Sequence, residues 1–215
     1  PGLERCRNRE IVDRCADDED VGGRELGDEF VRRDLPIFCP SRGAAEIEGS
    51  KAFAREFMSR HDIPSPGYEV CTSLEDALAF VDRAPWGYPF VVKADGLAAG
   101  KGAIVAESVS EAIDALREML VEDRFGAAGH EVVIEEFMPG EELSVFFLSD
   151  GETAVPLAPS RDHKRRFEGD RGPNTGGMGA YSPAPVVTDA WWPIIREQVF
   201  DRTLQELRNR GILFK

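Results

Sequence analysis

The spacing of apolar residues predicts both helices and strands in this chain. Ser50, Ser73 and Ser108 each precede apolar residues that recur every three or four positions, so each serine predicts the N-cap of an amphipathic helix. Short apolar, partly β-branched runs predict strands at 90–92, 103–106, 131–137, 143–148 and 153–157. The middle of the chain therefore predicts helix–strand–loop–strand–helix, an α+β unit whose sheet is covered by helices on one face.

Shorter signals predict several further elements. We expect a short helix at 26–33 and a short strand at 35–38. The pair Asp150-Gly151 predicts a two-residue turn that closes a hairpin. The segment 172–179, which contains four glycines, predicts a loop rather than a regular element.

The two ends of the chain carry the least complete patterns. Residues 1–21 are charged and show little periodicity. Asp189 predicts the cap of a last helix that reaches about Arg210, and 212–214 then predict the first residues of a strand. Because the chain stops inside that predicted strand, we expect it to be part of a longer protein.

The stretch 88–102, YPFVVKADGLAAGKG, carries the first chemical signal. Lys93 ends a predicted strand, and a turn of small residues leads to the next strand. This turn, the glycine-rich stretch, consists of Gly96, Leu97, Ala98, Ala99, Gly100, Lys101 and Gly102. Backbone N–H groups and lysines in such a loop can surround phosphates. An ordinary Gly/Ala hairpin turn is the alternative.

A P-loop does not fit this stretch. That motif needs four residues between its glycines, then Lys-Ser/Thr and a helix. Here three residues separate Gly96 from Gly100, Gly102 stands in the place of the hydroxyl residue, and a strand follows. We therefore expect the tip of a hairpin, free to move as a lid.

Composition and charge disfavour several other classes of protein. The net charge of −14 argues against nonspecific binding to nucleic acid or to anionic membranes. The sequence has no apolar run of about 18 residues, the length that a transmembrane helix needs. The four cysteines show no metal-site spacing, and three histidines argue against a His-rich zinc site. We expect a cytoplasmic protein with reduced thiols and with no nucleic-acid or membrane partner.

A strand end and a nearby carboxylate have the chemistry of a purine-nucleoside contact. One carbonyl and one N–H can read the adenine edge, and a carboxylate can accept both ribose hydroxyls. The residues in this arrangement are Glu135, Glu136, Phe137, Met138 and Glu142. A surface strand with solvated acids is the alternative.

Three other positions are candidates for binding an anion. Lys51 lies in the first turn of a predicted helix, where a cation opposes the helix dipole unless an anion is nearby. The cluster Asp162-His163-Lys164-Arg165 has the side chains that suit phosphate. A loop with consecutive free N–H groups follows at Asn174, Thr175, Gly176, Gly177, Met178 and Gly179. Solvated surface charges and a plain loop are the alternatives.

Taken together, these motifs resemble the phosphoribosylamine–glycine ligase (glycinamide ribonucleotide synthetase) family of the ATP-grasp superfamily. The similar stretches are EGSKAFAREFM (48–58), VVKADGLAAGKG (91–102), VIEEFMPGEE (133–142), DHKR (162–165) and GPNTGGMGAYSPAPVVT (172–188). They run in the family's order over roughly residues 36–190. The last stretch is long and the most specific of the five.

The resemblance implies a fold and a reaction. The fold is the α+β ATP-grasp fold, two α+β subdomains that grip ATP, here incomplete at both ends. The resemblance assigns 1–40 to a remnant of an N-terminal α/β domain, 71–142 to a lid subdomain, and 41–70 with 143–215 to part of the core. It implies ATP-dependent joining of glycine to 5-phosphoribosylamine, with ATP and Mg²⁺ (or Mn²⁺) as cofactors. It further implies a monomer or a part of a multifunctional purine enzyme.

The resemblance also implies roles for single residues. Lys51 and Lys93 would contact the phosphates, and the loop 96–102 would close over them. The strand end 135–138 would contact adenine and Glu142 the ribose. The residues placed toward glycine and phosphoribosylamine are Asp162, Lys164, Arg165 and 174–179.

Several positions depart from the family's pattern. Cys39 stands where a glycine is usual and Arg161 where a glutamine is usual. The family's Mg²⁺-binding Glu and Asn are expected beyond Lys215, so no metal ligand is assigned and the chain alone is expected to be inactive. A non-catalytic ATP-binding domain and an ATP-grasp ligase for another amine are the alternatives.

Overall fold

The computed structural model describes residues 26–96, 102–122, 124–169, 171–212 and 214. The poorly patterned residues 1–21 and most of the predicted glycine-rich turn lie outside these ranges.

A four-stranded antiparallel sheet forms the middle of the structure. Its strands are β1 (Tyr68–Cys71), β2 (Phe90–Ala94), β3 (Ala103–Ala106) and β4 (Val132–Glu136), in the order β1-β4-β2-β3. Val92 pairs with Ile104 on one side and with Ile134 on the other. The pairing of β2 with β3 confirms the predicted hairpin around the glycine-rich stretch, and it confirms that a strand follows that stretch.

Two helices cover one face of this sheet, as the pattern predicts. Helix α4 (Leu74–Val81) and helix α5 (Val109–Leu120) pack on Phe90, Val92 and Ile134, which are fully buried. Alternate residues of a strand point to opposite faces, which explains why β2 alternates between buried and half-buried positions. Both helices begin as predicted, because the Ser73 hydroxyl accepts from Asp76 N–H and the Ser108 hydroxyl accepts from Glu111 N–H.

A second cluster joins helices from distant parts of the chain. Helices α1 (Leu26–Arg32), α2 (Arg42–Gly49) and α3 (Lys51–Arg60) precede the sheet. The last helix runs as α6 (Trp191–Ile195), a π-helical turn (Arg196–Asp201) and α7 (Arg202–Asn209). Phe57 of α3 and Leu207 of α7 are buried together with Ile63, which attaches the C-terminal helix to α3.

Three short two-stranded ladders lie between β4 and α6. They are β5 (Phe147–Ser149) with β6 (Ala154–Pro156), β7 (Arg161–Asp162) with β10 (Ala180–Tyr181), and β8 (Arg165–Phe167) with β9 (Arg171–Asn174). Phe147 stacks on Phe200, with ring centroids 3.4 Å apart, which joins the first hairpin to the C-terminal helix.

The predicted short strand at 35–38 is wrong. Leu35 N–H donates back to Phe30 C=O and closes α1, and Pro36 and Pro40 have no N–H to offer a sheet. Helix α2 follows immediately and was not predicted. Its N-cap is Ser41, which makes no side-chain cap hydrogen bond.

Three predictions about the residues between β4 and α6 also differ from the structure. The first hairpin is closed by the four residues 150–153 rather than by two, since Ser149 pairs with Ala154 and the Asp150 carboxylate accepts from the N–H groups of Glu152 and Thr153. The strand predicted at 143–148 is shorter and shifted, to β5. The segment 172–179 starts in strand β9 rather than in a loop. Gly172 there has φ +84°, and a Cβ would meet the Phe167 ring at 2.4 Å.

At the C-terminus the predicted last helix is confirmed, but its predicted cap and the predicted strand after it are wrong. Asp189 does not cap the last helix, whose N-cap is Ala190 with no side-chain hydrogen bond. Ile212 and Phe214 are not in a strand, and residue 213 is outside the described part of the chain. Both side chains pack on the Phe57–Leu207 cluster instead.

Two of the four cysteines lie in the described residues, and both are free thiols, as predicted. Burial in the sheet core, helped by the charges of Glu69 and Asp76, raises the pKa of the Cys71 thiol to about 11.

Candidate nucleotide site

The start of α3 is bonded to the end of β2, at the root of the glycine-rich stretch. The Asp95 carboxylate accepts from Ala52 N–H (2.6 Å) and from the Ser50 hydroxyl (3.2 Å). Lys51 Nζ donates to the carbonyl oxygens of Asp95 (3.1 Å) and Gly96 (2.8 Å). The Asp95 carboxylate therefore supplies the negative charge that is expected near Lys51, a cation in the first turn of this helix.

Lys93 lies on the sheet face opposite α4 and α5, together with a buried carboxylate. Its Nζ donates to Glu135 Oε2 at 2.6 Å. Arg55 of α3 reaches the same carboxylate with two hydrogen bonds, from Nε to Oε1 (2.7 Å) and from Nη2 to Oε2 (3.0 Å). Glu135 is 2% exposed, so both oxygens of a buried anion are paired with cations.

The electrostatics of these groups follow from their packing. Burial alone would raise the pKa of Glu135, but hydrogen bonds and charges from Arg55 and Lys93 outweigh it and hold that pKa below its ordinary value. Burial lowers the pKa of Lys51, an effect that Asp95 opposes and Lys93 increases. Lys51, Arg55 and Lys93 face Asp95 and Glu135, which leaves one net positive charge in a protein of net charge −14.

The end of β4 presents the predicted purine-contact residues in two ways. Glu136 is turned to β1, where its N–H donates to Gly67 C=O and its carboxylate accepts from Gly67 N–H. Met138 and Glu142 are exposed. The Glu135 carboxylate is engaged by Arg55 and Lys93, while the exposed strand end keeps the chemistry of an adenine contact.

The predicted anion-binding cluster and loop pack against each other. Lys164 forms an ion pair with Asp162 (2.5 Å), and Arg165 Nη1 donates to Gly172 C=O (2.8 Å). Thr175 N–H and Met178 N–H donate to the carbonyls of Lys164 (2.7 Å) and His163 (2.7 Å). Part of the predicted N–H nest is therefore used to fold the loop back on the basic cluster.

These residues form two groups within the described structure. Lys51, Lys93 and Glu135 share the first group, around the root of the glycine-rich stretch. Asp162, Lys164, Arg165 and 175–179 share the second. The charge of Glu142 raises the pKa of Lys164, after the larger effect of Asp162, which associates Glu142 with the second group.

Sequence reasoning missed Arg55 and Asp95. Arg55 follows Lys51 by one helical turn, so the i,i+4 spacing on α3 was the available signal. Asp95 follows the strand-end lysine by two positions and had no motif of its own. The contacts of the Arg55 guanidinium and of the Asp95 carboxylate become visible only where α3 packs against β2 and β4.

A groove of about 690 Å³ lies between α3 and β1. Its lining residues are Ser50, Ala52, Phe53, Glu56, Tyr68, Glu69, Val70 and Glu131. Three of them are acidic and none is basic, so the groove is poorly suited to a polyphosphate. The cationic group around Lys93 is the better nucleotide candidate.

A magnesium site is not complete in the part of the chain that the structure covers. Among the described residues, no group of three or more His, Cys, Asp or Glu side chains converges in a way that could hold a metal ion. The residues present therefore do not fit a protein-built Mg²⁺ site. Within the same residues, no helix has the length and apolar character needed to cross a membrane.

Comparison with known proteins identifies the family of this chain. Residues 49–215 match the model of the phosphoribosylglycinamide synthetase ATP-grasp (A) domain. A phosphoribosylamine–glycine ligase from Vibrio cholerae is 52% identical over 184 residues, which are 86% of this chain and 42% of the relative. The chain thus spans less than half the length of that curated relative.

Solved structures agree on the fold. A crystal structure of phosphoribosylamine–glycine ligase from Thermotoga maritima superposes with a TM-score of 0.76 at 35% identity, covering 87% of this chain and 47% of that one. A biotin carboxylase from Campylobacter jejuni, solved with β,γ-ATP, gives a TM-score of 0.67 at 15% identity, covering 88% and 41%, and shows a shared fold alone. The fold is therefore the ATP-grasp fold, and the chain belongs to the phosphoribosylglycinamide synthetase ATP-grasp (A) domain family.

Proposed function

We propose that this chain is the greater part of the ATP-binding unit of a phosphoribosylamine–glycine ligase. The reaction would join glycine to 5-phosphoribosylamine and convert ATP to ADP and phosphate. The observation that carries the proposal is the cationic group of Lys51 and Lys93 at the root of the glycine-rich stretch, in a chain of this family. The cytoplasm as compartment, and a monomer or a multifunctional enzyme as assembly, belong to the same proposal.

In this proposal the nucleotide lies across the exposed end of β4 and the Lys93 face of the sheet. Lys93 and Lys51 contact the phosphates, and the loop 96–102 covers them. The Glu136 carbonyl and the Met138 N–H contact adenine, and Glu142 accepts the ribose hydroxyls. Asp162, Lys164, Arg165 and the loop 174–179 receive the phosphoribosylamine and glycine. The lid subdomain is 71–142, and 41–70 with 143–215 belong to the core.

The chemistry follows from the weak electrophilicity of a carboxylate. Glycine's carboxylate oxygen attacks the γ-phosphorus, ADP leaves, and the acyl phosphate that forms is attacked by the ribosylamine nitrogen with loss of phosphate and a proton. Positive side chains stabilise the charge on the transferring phosphoryl group, and a closed lid keeps water from the acyl phosphate. Mg²⁺ would accompany ATP, and the described residues do not build a site for it.

A nucleotide-binding domain without catalysis is the second candidate. It would use the same nucleotide contacts around Lys51 and Lys93. An ATP-grasp ligase for another amine would differ only in the second residue group, around Lys164. Release of ADP that requires glycine separates these readings, and turnover without glycine contradicts the proposed one.

The first test is nucleotide binding measured by thermal shift. MgATP should raise the melting temperature of this chain and MgGTP should raise it less. At one hundred times the dissociation constant the gain is about 2.7 kcal/mol, which for a chain of this size corresponds to a rise of roughly 5–10 °C. Lys93→Ala should reduce the shift, and Arg60→Ala, at an exposed residue of α3, should not.

A clear melting transition that MgATP leaves unchanged would contradict the proposed function. An equal response to MgATP and MgGTP would contradict the adenine contacts at the end of β4 while leaving a phosphate site.

A further inference from the structure

Arg55 holds the buried Glu135 carboxylate from a different element than Lys93 does. Its guanidinium makes two hydrogen bonds, one to each carboxylate oxygen, at 2.7 and 3.0 Å. Lys93 adds one hydrogen bond at 2.6 Å to the oxygen that Arg55 Nη2 also reaches. Glu135 thus has two cationic partners, of which Arg55 alone satisfies both oxygens.

This asymmetry matters because the carboxylate is buried. The Glu135 side chain is 3% exposed, against 19% for Arg55 and 23% for Lys93. A buried carboxylate without a cation is strongly unfavourable, so a lysine that was its sole partner could not leave it. With the planar fork of Arg55 in place, Glu135 stays compensated when the Lys93 ammonium moves to another anion.

The position of Arg55 on α3 links it to the rest of the nucleotide site. Lys51 lies one helical turn earlier and bonds the root of the glycine-rich stretch. Helix α3 therefore carries one side chain that holds this root and one that holds Glu135. Both contacts place α3 against the sheet face that carries Lys93.

We propose that Arg55 is a positioning residue of the nucleotide site, which holds Glu135 in a bidentate ion pair and so allows Lys93 to transfer its ammonium from Glu135 to a phosphate of the ligand. This role rests on the proposed function, since it needs a polyphosphate as ligand. Arg55 itself touches no substrate; it acts through Glu135 on Lys93.

The test compares two arginines of the same helix. Arg55→Met leaves Glu135 with Lys93 alone and removes one positive charge, so we expect MgATP to bind about tenfold more weakly by titration calorimetry. Arg60→Met makes the same chemical change at an exposed ion pair with Glu56 and should change the dissociation constant less than about twofold. Arg55→Lys keeps the charge without the fork and should regain most of the loss.

A double-mutant cycle separates this role from a structural one. In a Glu135→Gln background there is no carboxylate for Arg55 to hold, so adding Arg55→Met should weaken MgATP binding by less than about twofold. Equal effects of Arg55→Met in both backgrounds would overturn the proposal. So would a failure of Arg55→Lys to restore binding in a protein with an unchanged circular dichroism spectrum.

If Arg55→Met does not fold, the comparison of Arg55→Lys with Arg60→Lys decides, with a loss of about threefold expected for the first and none for the second. A wild-type chain that does not bind MgATP overturns the proposed function and this role together. A wild-type chain that binds MgATP while Arg55→Met binds it equally well overturns the role of Arg55 alone.

Discussion

The sheet region (residues 68–136) and the C-terminal region (residues 144–212) are built in different ways. In the sheet region, four paired strands and two helices enclose a continuous core that includes Phe90, Leu116 and Ile134, each fully buried. In the C-terminal region the strands have two to four residues and pair two by two. Its buried apolar residues are few and small apart from Leu204 and Leu207 of the last helix.

The first hairpin of the C-terminal region shows the difference most clearly. On one face Phe147 stacks on Phe200 and Ser149 and Ala154 are buried. On the other face, the cross-strand partners Leu148 and Val155 are 49% and 55% exposed. The sheet region is therefore stabilised by burial on a scale that the C-terminal region does not reach. The order of its loops depends more on local hydrogen bonds.

The largest expected effect compares the same substitution in both regions. Leu116→Ala removes a fully buried side chain from the sheet core and should lower the free energy of unfolding by about 3 kcal/mol. Leu148→Ala, at the half-exposed hairpin position, should change it by less than about 0.5 kcal/mol. Urea denaturation of the two variants measures both values. Equal losses would mean that the two regions are equally dependent on burial.

A middle-sized effect compares a buried ion network with an exposed ion pair. Glu135→Gln removes the anion that Arg55 and Lys93 share and should cost about 2 kcal/mol, because the two cations that remain are partly exposed. Glu141→Gln breaks the pair with Arg161 (3.0 Å), in which the glutamate is 59% exposed, and should cost about 0–1 kcal/mol. Urea denaturation at neutral pH measures both losses.

The buried Glu135 carboxylate makes the stability of the fold depend on pH with a definite sign. The pKa of Glu135 is lowered in the folded state, so its ionisation stabilises the fold fully above the ordinary glutamate pKa of about 4.3. That stabilisation is lost as the pH falls through the lowered pKa. The gap in stability between wild type and Glu135→Gln should therefore narrow below about pH 4. A gap that is constant from pH 6 to pH 3 would contradict the lowered pKa.

The smallest effect concerns the start of one helix in each region. Ser108→Ala removes the hydroxyl that accepts from Glu111 N–H and should cost about 1 kcal/mol. Asp189→Ala should cost less than about 0.5 kcal/mol, because Asp189 is not the cap of the last helix. Thermal denaturation of the two alanine variants makes the comparison. A larger loss for Asp189→Ala would restore the cap that the sequence pattern predicts there.

The sequence by itself determined the elements whose signals are local. Capping serines with apolar residues at helical spacing predicted α3, α4 and α5, and the runs 90–92 and 103–106 predicted the hairpin of β2 and β3. The glycine and lysine motifs were enough to identify the family, because their order and spacing are readable without coordinates. These features depend on residues close together in the chain.

Only the tertiary structure decided which distant residues meet. Arg55 and Glu135 are eighty positions apart, and no local pattern relates a helix arginine to a strand glutamate. Asp95 became the anion beside Lys51 because β2 ends against the start of α3. The strand predicted at 35–38 and the cap predicted at Asp189 failed where weak local preference gave way to packing. Burial and charge pairing between residues far apart in the chain determine these contacts. The spacing of neighbouring residues does not predict them.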